Sequence, residues 1–229
     1  MIARFVDCRP LEDYRRGHIP GAAHGEPERD LTGTDGGGRH PLPTADAFAA
    51  WASSAGIGAD TLVVAYDDGS GWAARLWWLL RHFGHDDAGV LPLAAWGGPL
   101  RADEERTAPA HFDARPGTDD VAYADALLAR LEADGLTLVA ARAPERWRGE
   151  SEPIDPVAGR IPGALNRFFE DDSPLPPELL EADDLVVYCG SGVTACVVLH
   201  ELHLAGRVAA RLYPGSFSEW YALGPVDRG

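Results

Sequence analysis

The apolar run Leu185-Val186-Val187-Tyr188 has no polar interruption and stops at Cys189, after which Gly190 and Gly192 break the pattern and a second apolar stretch runs from Val193 to Ala205. This predicts a buried strand, a tight loop and a helix in succession. Similar units recur along the chain. Ile2 to Cys8 is expected as a strand and Leu11 to Arg16 as a turn of helix ending at Gly17. Thr44 is placed to cap a helix from Ala45 to Ala55. Thr61 to Tyr66 is expected as a strand, Trp72 to Phe83 as a helix with Trp77 and Trp78 in the core, and Gly89 to Leu93 as a short strand. Beyond them the pattern predicts a helix over Tyr123 to Asp134, a strand over Leu136 to Ala141, a short helix over Glu178 to Glu181 and a last strand over Val208 to Leu212. Pro99 to Asp120, rich in Pro, Gly, Asp and Arg, is expected as a linker. Strands alternating with helices predict an α/β fold with mostly parallel sheets flanked by helices.

Three phrases occur twice in the same order. Phe5-Val6-Asp7-Cys8-Arg9-Pro10 is echoed by Leu138-Val139-Ala140-Ala141-Arg142-Ala143, and Gly17-His18-Ile19-Pro20-Gly21-Ala22 by Gly159-Arg160-Ile161-Pro162-Gly163-Ala164. Leu62 to Gly71 is echoed by Leu185 to Gly192. Ordered repetition implies an internal duplication, hence two tandem domains over 1–100 and 122–229 with 101–121 between them. Aligned on Gly-Ser-Gly, Asp68 stands opposite Cys189, so only the second copy has a nucleophile.

A cysteine where a strand ends and a helix begins faces the unpaired N–H groups of the loop and first helical turn, and the aligned peptide dipoles add positive potential there. A free thiol has a pKa of about 8.5, and such settings lower it. An inert buried cysteine is the other common fate of the residue type, but it has no need of flanking glycines. Phosphoryl transfer of the tyrosine-phosphatase kind needs an arginine six positions after the cysteine, where Ala195 stands. Gly190 to Ala195 also fits the G-x-G-x-x-A dinucleotide fingerprint, but the next strand candidate is followed by Tyr213-Pro214-Gly215, with no carboxylate to hold a ribose.

The net charge of −16 and pI near 4.7 disfavour nucleic acid and anionic membrane as partners. Every basic residue is arginine. Cys8, Cys189 and Cys196 form neither a disulfide framework nor a metal-ligand pair, and no apolar run reaches about 18 residues, so a cytoplasmic protein is expected. His200 and His203 share a helical face but lack a third ligand of fitting spacing, so no metal is expected. Cys196 is expected to pack, and Glu170-Asp171-Asp172 to form a solvated turn.

Cys189 to Ala195, CGSGVTA, resembles the active loop of the mercaptopyruvate branch of the rhodanese sulfurtransferase family. The two G-x-I-P-G-A phrases, Trp77-Trp78 before Phe83-Gly84-His85, Glu152-Pro153 and Tyr213-Pro214-Gly215-Ser216 extend the resemblance over nearly the whole chain. It implies an inactive first domain and a catalytic second one, and a sulfane sulfur carried as a persulfide on Cys189, with no cofactor. The implied donor is a small anion, 3-mercaptopyruvate or thiosulfate, and the acceptor a thiol, a thioredoxin-like protein or cyanide. The resemblance further implies a proton relay of Ser191, His40 and an acid at Glu28, with Glu26 and Asp30 as rivals, and Arg146 as the substrate-binding arginine beside the loop residues Gly190, Gly192, Val193 and Thr194. A second arginine, which some mercaptopyruvate enzymes carry after Glu-Pro, is replaced by Ile154 and Asp155, leaving Arg148 and Arg160 as candidate substitutes. Loops of the thiosulfate branch usually carry basic residues, and this one has none, so 3-mercaptopyruvate is favoured. A low-turnover persulfide carrier or sensor is the alternative outcome, and a nucleotide-binding protein a more distant one.

Overall fold

The computed structural model describes residues 2–131 and 135–229. The chain divides into two compact units: one runs to Asp35 and resumes over Leu42–Gly117, and the other comprises Gly36–Pro41 and Thr118–Gly229.

The first unit contains β1 (Ile2–Asp7), α1 (Leu11–Arg16), β2 (Ala23–His24), α2 (Pro27–Asp30), α3 (Ala45–Ser54), β3 (Thr61–Asp67), α4 (Trp72–His82) and β4 (Ala88–Pro92). Its strands form an all-parallel sheet in the order β2-β1-β3-β4. Thr44 caps α3 as expected, its hydroxyl accepting from the Ala47 N–H at 3.2 Å. Trp77 and Trp78 are buried on α4, and Phe48 stacks on Phe83 and meets Phe112 edge-on in one aromatic cluster.

The second unit contains α5 (Ala124–Leu128), β5 (Leu136–Ala140), α6 (Pro144–Trp147), β6 (Leu165–Asn166), α7 (Pro177–Glu181), β7 (Asp184–Tyr188), α8 (Ala195–Leu204), β8 (Arg211–Leu212) and α9 (Ser216–Trp220). Its parallel sheet repeats the first in the order β6-β5-β7-β8. β7 lies in the sheet's interior, and Leu185 to Tyr188 are all buried, which explains their unbroken apolar run. Tyr188, Tyr213, Phe217 and Trp220 anchor the core between sheet and helices.

The structure trims or moves several expected elements. The helix expected over Tyr123 to Asp134 is regular only to Leu128, where the Arg130 N–H turns back to the Leu127 carbonyl in a tighter bond; Glu132 to Asp134 lie outside the described residues. The last strand is confined to Arg211 and Leu212, because Val208 is exposed and has no sheet face to bury. Residues 101–117, expected as part of the linker, pack into the first unit. There the Ala110 N–H reaches the Ser53 carbonyl, those of Arg115 and Gly117 reach Phe83 and His82, and Phe112 is buried.

The repeated G-x-I-P-G-A phrase has a structural cause. Ile-Pro-Gly-Ala forms a turn in each unit, closed by Ala22 N–H to Ile19 O at 3.0 Å and Ala164 N–H to Ile161 O at 3.1 Å. Gly21 and Gly163 take φ of 78° and 74°, which suits glycine behind proline at that place in a turn. The turn is tied to the sheet identically in both copies: the Ile19 and Ile161 N–H groups donate to the Tyr66 and Tyr188 hydroxyls, each at 3.0 Å. Arg9 and Arg142 donate to the Gly17 and Gly159 carbonyls.

Candidate active site

Cys189 follows the last residue of β7, and its Sγ receives the N–H groups of Ser191 at 3.4 Å and Gly192 at 3.1 Å. Burial pushes the thiol up. Hydrogen bonds from the Thr194 hydroxyl and from the Ser191, Ala195 and Gly192 amides outweigh it and hold its pKa below the ordinary thiol value. The residue is only 2% exposed, and its sulfur accepts from amides and a hydroxyl inside that buried setting.

The loop has this shape because its two glycines meet different constraints. Gly192 takes φ of 80°, and a Cβ there would stand 2.5 Å from the Pro214 carbonyl oxygen. Gly190 leaves room for two guanidinium groups: a Cβ on it would lie 2.9 Å from Arg39 Nη2 and within 3.7–3.8 Å of both Nη atoms of Arg146. The start of α9 fastens the loop from the other side, with Phe217 N–H on the Cys189 carbonyl at 3.1 Å and Ser218 N–H on the Gly190 carbonyl at 2.9 Å. Ser216 is fully buried at φ 53°, accepts the Cys189 N–H at 3.1 Å and donates to the Tyr213 carbonyl at 2.9 Å. A non-glycine residue held in the left-handed region stores strain that the surrounding bonds offset, a common feature of functional sites.

Of the residues selected from sequence, Ser191 and His40 meet directly: Ser191 Oγ lies 2.8 Å from His40 Nδ1. His40 belongs to the short segment Gly36–Pro41 of the second unit. That segment is seated by Gly38, at φ 81° against the Gly215 carbonyl, and by the Arg39 N–H donating to Ser218 Oγ at 3.0 Å. Glu28 lies exposed on α2 of the first unit. Its rivals are engaged locally: Glu26 accepts from the Leu11 N–H, and Asp30 accepts from the Glu26 N–H and the Arg29 guanidinium.

Arg146 binds Glu152 at 2.5 Å and lies 3.7 Å from Asp155. Burial opposes ionisation of Glu152, but the Arg146 hydrogen bond, the Asp155 and Ile154 amides and the nearby Arg142 charge keep its pKa below the ordinary carboxylate value. Arg142, buried over the Phe217 ring at 4.1 Å, also pairs with Glu152; burial and then Arg146 lower its own pKa. Neither proposed substitute for a second arginine serves the loop. Arg148 pairs with Glu150 at the surface, and Arg160 lies over the Trp147 ring at 4.1 Å. Arg39, which sequence reasoning missed, pairs with buried Asp155 and reaches Gly190.

The first unit shows what the same loop does without cysteine. Tyr66 matches Tyr188 in register and in its bond to the turn, so Asp67 occupies the place of Cys189. This corrects the alignment on Gly-Ser-Gly, which put Asp68 there. The Asp67 carboxylate accepts from Gly69 N–H at 2.9 Å, Ser70 Oγ at 3.2 Å and Ala73 N–H at 2.9 Å. The loop in both copies is therefore built to hold an anionic atom at the end of the third strand.

The model of the rhodanese-like domain matches residues 2–93 and 123–223. The chain belongs to the rhodanese family. A probable 3-mercaptopyruvate sulfurtransferase of Pseudomonas aeruginosa is 44% identical over 94% of this chain and 88% of its own length. A putative thiosulfate sulfurtransferase of Mycobacterium tuberculosis, SseB, is 36% identical over 94% and 85%. Among solved structures, SseA of Escherichia coli, a 3-mercaptopyruvate sulfotransferase, superposes with a TM-score of 0.78 at 29% identity, over 95% of this chain and 93% of that one. Membership of the rhodanese family disposes of the dinucleotide reading: Gly190 and Gly192 serve a thiol and its neighbours. Among the described residues of this rhodanese no group of His, Cys, Asp and Glu is arranged to hold a metal, and no helix is long and apolar enough to cross a membrane.

Proposed function

We propose that this rhodanese is a sulfurtransferase that moves sulfur from a small anionic donor, with 3-mercaptopyruvate favoured over thiosulfate, to a thiol or thioredoxin-like acceptor or to cyanide. The observation that carries this reading is the Cys189 sulfur held by the Ser191 and Gly192 amides with its pKa lowered. The thiolate attacks the donor's sulfur and a sulfur–sulfur bond forms. With 3-mercaptopyruvate the carbon–sulfur bond breaks and its electron pair leaves on the enolate of pyruvate, which takes up the proton shed by the new persulfide. With thiosulfate the sulfur–sulfur bond of the donor breaks and sulfite leaves. An acceptor thiolate or cyanide then attacks the outer sulfur and returns Cys189 to its starting state. The same amides that held the thiolate stabilise the persulfide anion.

Ser191 and His40 are assigned to proton movement between persulfide and enolate, with Glu28 as the proposed acid partner, and Arg146 to the donor's anionic oxygens. The test is thiocyanate formation from each donor with cyanide. Cys189→Ser is expected to abolish it for both donors. His40→Ala is expected to lower kcat about 100-fold with 3-mercaptopyruvate, in line with loss of a general acid–base group, and much less with thiosulfate, whose sulfite needs no carbon protonation. Turnover by Cys189→Ser equal to the parent's removes the proposal.

A further inference from the structure

Resting on the sulfurtransferase reading, we propose that Arg39 is a second substrate-binding cation of this site, acting beside Arg146 on the donor's anionic oxygens. Two guanidinium groups converge on the face of Gly190, the residue that follows the reactive cysteine: a Cβ there would contact Arg39 at 2.9 Å and Arg146 at 3.7 Å. They arrive from opposite directions in the chain, Arg146 from α6 and Arg39 from the Gly36–Pro41 segment that also delivers His40. Their side chains retain 30% and 19% of their exposure, so both can meet a solute.

Asp155 pairs with Arg39 and stands 3.7 Å from Arg146, whose own hydrogen bonds go to Glu152. Its own side chain is 4% exposed, and it lies in the stretch after Glu152-Pro153, where Ile154 points to solvent at 60% exposure. Among the described residues, the ion pairs of this cluster set Arg39, Arg142 and Arg146 against Glu152 and Asp155, an excess of one positive charge that an anionic donor can offset. Asp155 is both the clamp that orients Arg39 and a competitor with substrate for it. A Cβ at Gly190 would press on the Arg39 guanidinium at 2.9 Å, so glycine there lets Arg39 keep this approach.

Anion binding separates this proposal from turnover. Pyruvate and sulfite, the two leaving groups, are titrated calorimetrically into full-length Cys189→Ser protein and into the same protein carrying Arg39→Met, Arg39→Lys or Asp155→Asn. Arg39→Met is expected to weaken binding of at least one anion about tenfold or more, the worth of a charged hydrogen bond. Lysine should restore part of it, and Asp155→Asn should bind as tightly as the parent or more so. The anion with the larger loss identifies the oxygens Arg39 reads, carboxylate or sulfonate. Unchanged binding of both anions in Arg39→Met overturns the proposal. So does an Asp155→Asn loss as large as that of Arg39→Met, which would make the pair structural. Should Arg39→Met not fold, Arg39→Lys carries the test, with binding as weak as a charge-free site as the contrary result. In the cysteine-containing protein, Arg39→Met should raise KM for the affected donor while kcat changes less. Absence of turnover in the parent would remove the sulfurtransferase reading and leave these binding results standing.

Discussion

At residue scale the decisive competition is within Cys189. Burial favours the neutral thiol, while Thr194 and three loop amides favour the thiolate, and the second set prevails. At Cys8, also buried, the balance goes the other way: burial and then the Asp67 and Asp7 charges push its thiol well up, against a single backbone hydrogen bond at Tyr66. The absorbance of thiolate, taken as the difference between wild type and Cys189→Ser, should therefore show a midpoint below that of an ordinary thiol. Thr194→Val should move that midpoint upward and shift the acid limb of kcat/KM with it. The sign for stability follows from the same shift. A depressed thiol pKa contributes stability above the unfolded value, and that contribution is lost as pH falls through the folded one. The wild type's advantage over Cys189→Ser should therefore be largest in alkali and shrink with acid. Cys189 was legible in sequence because glycines after an apolar run mark a loop. Ser216 and Arg39 were not, because nothing local signals a left-handed serine or an arginine brought to the loop from a distant segment.

At the scale of elements, the strand–loop–helix unit occurs twice with one anion site filled in two ways. Asp67 supplies its own carboxylate to Gly69, Ser70 and Ala73, whereas Cys189 presents sulfur to Ser191 and Gly192. In the first loop the cradle is filled by a carboxylate, which has no sulfur to accept a second one. Asp67→Ala removes the acceptor for all three donors and should cost about 1–3 kcal/mol of stability, read by denaturant unfolding. Sulfur transfer per folded molecule should remain. Long elements such as β3, α4 and β7 were legible from periodicity, and the turn phrase from its Pro-Gly pair. The Asp68 alignment failed because matching letters in a glycine loop carry less information than the register of the preceding strand. The helix after Tyr123 was overextended because its apolar spacing continues past the point where the backbone tightens.

At the scale of the molecule, duplication was legible from three short echoes, and both sheets share one strand order. The division of the chain was less so. Residues 101–117 look like a linker in composition but belong to the first unit, and Gly36–Pro41 belongs to the second despite its place in the sequence. That excursion places His40 against Ser191 and Arg39 against Gly190, so the second unit draws two side chains from a segment lying before α3. Everything proposed for the site rests on Cys189 carrying the transferred sulfur. Mass spectrometry of the protein after one exposure to 3-mercaptopyruvate or thiosulfate, without acceptor, tests it most directly. A mass gain of one sulfur atom is expected on the peptide containing Cys189, removed by cyanide and missing from Cys189→Ser. A gain that resides on Cys8 or Cys196, or one that persists in Cys189→Ser, would contradict it.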